Sequence, residues 1–133
     1  MKTLILFLMI LCISCHSEKQ GKPSYDELVI EIPEDFLKFY NSFHSDSLFQ
    51  MAHIIFPLEA SSDSTKWLKA DWRLHKPFDS QSGEFTRQFD NLGGIIVELM
   101  QDQTKTVTIE RRFSKMGEEY QLIYYRIKST FGS

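Results

Sequence analysis

The sequence predicts an α+β domain in which N-terminal helices pack on a curved antiparallel sheet. Three observations carry that expectation. Phe36, Phe39, Tyr40 and Phe43 recur at helical spacing and form one aromatic face. Three later runs, 94–101, 104–114 and 119–128, are rich in β-branched and aromatic residues. The breaks between them, Gln101-Asp102-Gln103 and Lys115-Met116-Gly117-Glu118, have hairpin length. Helices early and a meander late segregate the two element types along the chain, as α+β folds do.

Each element has a local reason. Ile32-Pro33-Glu34-Asp35 starts the first helix: proline suits the first turn, and the acids complement the N-terminal dipole. Ser45 or Asp46 caps a second, short helix whose expected face is Leu48, Met51, Ala52 and Ile55. Pro57 ends helical continuation, so 54–58 turns into a strand. Residues 59–66 form a polar loop, and a helical turn after Ser64 leads into an irregular stretch to Pro77. The segment 85–89 fits helix or strand, and Gly93-Gly94 permits the positive φ of a turn. In the last run, strict alternation places Tyr120, Leu122 and Tyr124 on one face against Ile123, Tyr125 and Ile127. That strand is apolar on both faces, which suits the sheet centre.

The chain has 133 residues, enough for one domain. With 42% hydrophobic, 14% aromatic and 25% charged residues it is neither disordered, collagenous nor a coiled coil. A net charge of −3 argues against a nucleic-acid partner. Both cysteines, Cys12 and Cys15, lie in the N-terminal run, so the body has no disulfide or cysteine-rich metal framework.

Lys2 precedes an apolar run of ten residues, Leu4 to Ile13. A bilayer span needs about 20 such residues. The run reads instead as the apolar core of a signal peptide. Ser14 then precedes Cys15, and this ending resembles the lipobox of bacterial lipoproteins, although Cys12 stands where leucine is commonest. It is similar to the ending of many Bacteroidetes lipoproteins. The resemblance implies cleavage between Ser14 and Cys15 and a lipid on Cys15. A plain secretory signal is the alternative. The expected organisation is a signal peptide (1–14), a lipidated tether (15–27) and one α+β domain (28–133). The expected location is the cell envelope, lipid-anchored to the outer or inner membrane and facing the periplasm. A di- or triacylated cysteine anchors stably where one chain does not.

The residues Phe39-Tyr40-Asn41-Ser42-Phe43, Asp46-Ser47-Leu48-Phe49-Gln50 and Ile55-Phe56-Pro57-Leu58 recur together with Trp67, Trp72 and the closing stretch 113–122. In this the chain resembles the Bacteroidetes lipoprotein family catalogued as domain of unknown function 4348. Tyr120 departs from it, standing where tryptophan is commoner. That family resembles the nuclear transport factor 2-like fold, a cone of helices against a strongly bent antiparallel sheet. The resemblance implies the fold over about residues 28 to 130. It implies no catalytic set, and the fold hosts enzymes, binders and assembly modules alike.

The histidines His44, His53 and His75 form no recognised metal motif, and no metal or other cofactor is expected. No Gly-x-Ser-x-Gly nucleophile motif occurs. The candidate pocket residues are His53, Trp67, Trp72 and Tyr124, with Phe78 as a further wall. Arg111 and Arg112 alternate faces and cannot form one basic patch. The resulting expectation is a non-enzymatic envelope lipoprotein that binds a small ligand or an envelope protein. Pairing of two copies through the open sheet face is a further expectation. The alternative is a small hydrolase or isomerase using His53, or Asp71 with His75, inside the cone.

Overall fold

The computed structural model describes residues 30–60 and 66–130. The segments expected to be a signal peptide and a tether, with Cys15, lie outside the described residues. Helix α1 (Glu34–Ser45) follows Pro33 directly and carries Glu34 and Asp35 in its first turn. It ends at Asp46, which turns extended and caps the next helix, α2 (Ser47–Ala52). The Asp46 carboxylate accepts from the Leu48 and Phe49 amides at 2.9 and 3.0 Å. That cap sets the phase of α2. Leu48 is 81% exposed and Gln50 is buried, so the expected Leu48 face points outward.

Among the described residues, six strands form one sheet: β1 (Ile54–Glu59), β2 (Lys66–Trp67), β3 (Phe85–Leu92), β4 (Ile95–Asp102), β5 (Val107–Met116) and β6 (Glu119–Ser129). Their order is β2-β1-β6-β5-β4-β3. The fold is therefore α+β, as expected. The sheet is mixed rather than wholly antiparallel, because β1 runs parallel to β6. The chain leaves α2 at the base of β6, where the His53 carbonyl accepts from the Leu122 amide at 2.8 Å. The late meander has four strands, since 85–92 is a strand too. Gly93 and Gly94, at φ 63° and 94°, make its first turn. A 3-10 turn covers Lys69–Asp71, and an irregular strap, 72–84, then crosses toward β3.

Helix α1 lays its aromatic face on the inner face of the sheet. Phe36 is fully buried and packs edge-on against Phe113 and Tyr120, at 5.4 and 5.2 Å. Burying one such ring contributes about 1.5–3 kcal/mol. Asp35 holds the start of α1 to the β5–β6 hairpin through Lys115 at 2.7 Å and the Tyr120 hydroxyl at 3.2 Å. The Lys115 ammonium, first of all, holds the Asp35 pKa below its ordinary value.

One irregularity decides which side chains meet. Arg112 pairs with Tyr124, but Phe113 pairs with Leu122, so Ile123 is an extra residue in β6. A bulge of this kind shifts the alternation by one position and bends the strand. Tyr120, Leu122 and Tyr125 are all buried within the core on the inner face. Tyr124 lies on the outer face, its ring 4.4 Å from the Arg112 guanidinium.

Candidate functional site

The inner face also carries a buried polar group where Tyr40 of α1 meets β4 and β5. On β4, Glu98 is fully buried. One of its oxygens accepts from the Tyr40 hydroxyl at 2.5 Å, the other from Arg111 Nη1 at 2.9 Å. Burial first, and the Glu98 charge second, push the Tyr40 pKa up, so Tyr40 is a proton donor here. Arg87 Nη1 lies 3.4 Å from the Tyr40 hydroxyl, and its guanidinium stacks 4.4 Å from the Phe78 ring.

Two neutral histidines adjoin this group. His44 Nδ1 is 2.9 Å from the Tyr40 carbonyl, which only accepts, so Nδ1 carries the hydrogen. His44 Nε2 is then a bare acceptor. Burial lowers the His44 pKa to about 4, with the Arg111 charge acting in the same direction. Burial lowers that of His75 to about 2, helped by Arg111 and His44. Among the described residues, His44 Nε2, His75 Nδ1 and Arg111 Nε are buried without a hydrogen-bond partner. Native interiors leave few such atoms.

Gln50 fixes the strap over this region. Its amide nitrogen donates to the Phe43 carbonyl at 2.7 Å and the His75 carbonyl at 2.9 Å. Its amide oxygen accepts from the His75 amide at 2.7 Å and from Trp72 Nε1 at 3.3 Å. The full capacity of one buried amide is used. A polar residue in a short helix of uncertain phase gives no sequence signal for this role.

Two hollows flank the strap. One, about 240 Å³, is walled by Trp67, Trp72, His75, Tyr125 and Ile127. The other, about 180 Å³, has Met100, Ile109 and Phe85 as an apolar floor, Phe78 as a wall and Arg111 within it. Arg111 pairs with Tyr125 across the strands, and Ile109 with Ile127, so the hollows adjoin.

Of the sequence-predicted pocket residues, Trp67 and Trp72 come together, perpendicular at 6.3 Å. The tyrosine between them is Tyr125, at 5.4 and 5.2 Å, because the bulge turns Tyr124 outward. His53 lines neither hollow. It caps α2, stacks on Phe49 at 3.9 Å, and bonds the Phe49 carbonyl at 2.7 Å and Glu119 at 3.0 Å. Asp71 ends the 3-10 turn and Trp72 leaves it extended, so Asp71 and His75 are not joined by helical spacing, yet both line the hollow of about 240 Å³. Ser14 and Cys15 lie outside the described residues. Arg111 and Arg112 do part to opposite faces, Arg111 to Glu98 and Arg112 to Glu110.

No protein-family model matches the chain, and no curated protein matches it.

Proposed function

We propose that this chain is a cell-envelope lipoprotein, anchored through Cys15, whose domain binds a small ligand beneath the strap. The anchor rests on the apolar run and the Ser14-Cys15 ending. No helix among the described residues is long and apolar enough to cross a membrane. The finer architecture we propose is the nuclear transport factor 2-like cone. Its support is the order of elements and the bulge that bends β6 around the helices.

The observation that carries the binding function is one of chemistry. Two buried polar atoms without partners among the described residues, Arg111 Nε and His75 Nδ1, belong to residues that line adjoining hollows with aromatic and apolar walls. Small-molecule sites combine an apolar cavity with a few convergent polar groups in this way. Trp67 Nε1 and Trp72 Nε1 are already used, on the Tyr125 carbonyl and Gln50, so their rings offer faces and edges rather than donors.

Native mass spectrometry of the full chain, extracted in detergent from the envelope of its source cells, tests this. The expected result is a lipid-modified mass carrying a reproducible small adduct that dissociates on collisional activation. A lipid-free mass would overturn the anchor, and a bare protein would overturn the ligand function.

A further inference from the structure

We propose that the hollow between the strap and β4–β5 takes a small organic monocarboxylate, held side-on by Arg111. This rests on the ligand-binding reading and names the ligand's chemistry. Arg111 is 94% buried. Its Nη1 is tied to Glu98, which fixes the guanidinium plane. The remaining edge, Nε–H with Nη2–H, is the fork that receives the two oxygens of a carboxylate. Nε is buried and has no partner among the described residues. Arg111 also belongs to the lining of the hollow, so its guanidinium borders the cavity.

A single negative charge is the most this group accepts. Glu98 already neutralises the Arg111 guanidinium, and Arg87, which lies on Tyr40 and Phe78, is exposed. Both nearby histidines are neutral. A dianion would add buried charge with no further buried cation among the described residues to meet it. Lys76, Asp79 and Glu84 belong to the same hollow, whose floor of Met100, Ile109 and Phe85 calls for an apolar body behind the carboxylate. A volume of about 180 Å³ suits an organic acid of about ten heavy atoms.

The test uses matched acid and amide probes: benzoate with benzamide, cyclohexanecarboxylate with its amide, and hexanoate with hexanamide. Each is titrated into the full chain in detergent micelles by calorimetry. At least one acid is expected to bind tenfold or more tightly than its amide. Arg111→Lys keeps a cation facing Glu98 but removes the fork, and is expected to cut the acid-over-amide preference at least tenfold. In the wild type, the ¹⁵N resonance of Arg111 Nε is expected to move on acid binding, a readout that does not depend on any variant folding. Equal binding of acids and amides, or an unmoved Nε resonance, would overturn the carboxylate assignment and leave the small-ligand reading standing. Binding of neither set would overturn both.

Discussion

The two faces of the sheet each bury a glutamate against arginine, and they do so in opposite ways. On the outer face, Glu110 accepts from Arg112 at 2.7 Å and Arg126 at 2.6 Å. Those arginine side chains are 44% and 40% exposed, so water completes their bonding. On the inner face, Glu98 and Arg111 are both buried, and Arg111 Nε has no acceptor among the described residues. Adjacent residues of one strand, Glu110 and Arg111, thus enter a structural pair and an incomplete one. A buried ion pair with an unsatisfied donor is a poor stability device. The outer pair shows what the same chemistry looks like when it only holds strands together.

The comparison sets an order of expected effects. Glu98→Ala leaves Arg111 buried without a counter-ion and the Tyr40 hydroxyl without an acceptor. It is expected to cost about 3–5 kcal/mol in urea denaturation. Acid comes next. His44 and His75 have folded pKa values lowered to about 4 and about 2, below the ordinary 6.5. Each contributes stability that is fully present above pH 6.5 and is lost as pH falls below it. At pH 5 the loss is about 2 kcal/mol each, to be read from melting temperatures at pH 7.5 and pH 5. A flat profile over that range would mean that the inner face is wet.

Gln50→Leu strands the His75 amide and carbonyl and Trp72 Nε1. The expected cost is about 2–4 kcal/mol. Hydrogen exchange is expected to speed up at His75 ahead of the β5–β6 amides, showing that the strap is released first. Glu110→Ala is the smallest, about 1 kcal/mol, because its arginines reach solvent. Equal costs for Glu98→Ala and Glu110→Ala would break the contrast between the faces.

Much of this architecture is legible in local chemistry. The aromatic spacing of α1, the Asp46 cap and the β-branched runs report on neighbours in sequence, and those elements stand where expected. The site is less legible because it depends on register. One extra residue, Ile123, exchanges Tyr124 for Tyr125 in the aromatic wall. The Glu98–Arg111 pair follows from the β4–β5 register, which no pattern within either strand encodes. Gln50 acts through residues 25 positions away, and its burial follows from the phase that Asp46 imposes. Likewise the parallel pairing of β1 with β6 joins the two ends of the domain and leaves no mark in either segment.

The most direct measurement is a crystal structure at about 2 Å resolution of the protein purified from its own envelope. The account requires density for an organic group within hydrogen-bond reach of Arg111 Nε, extending over Met100 and Ile109, with the Glu110 face showing only water. Ordered water alone on Arg111 Nε, or the strap collapsed onto it with no space left, would contradict the account.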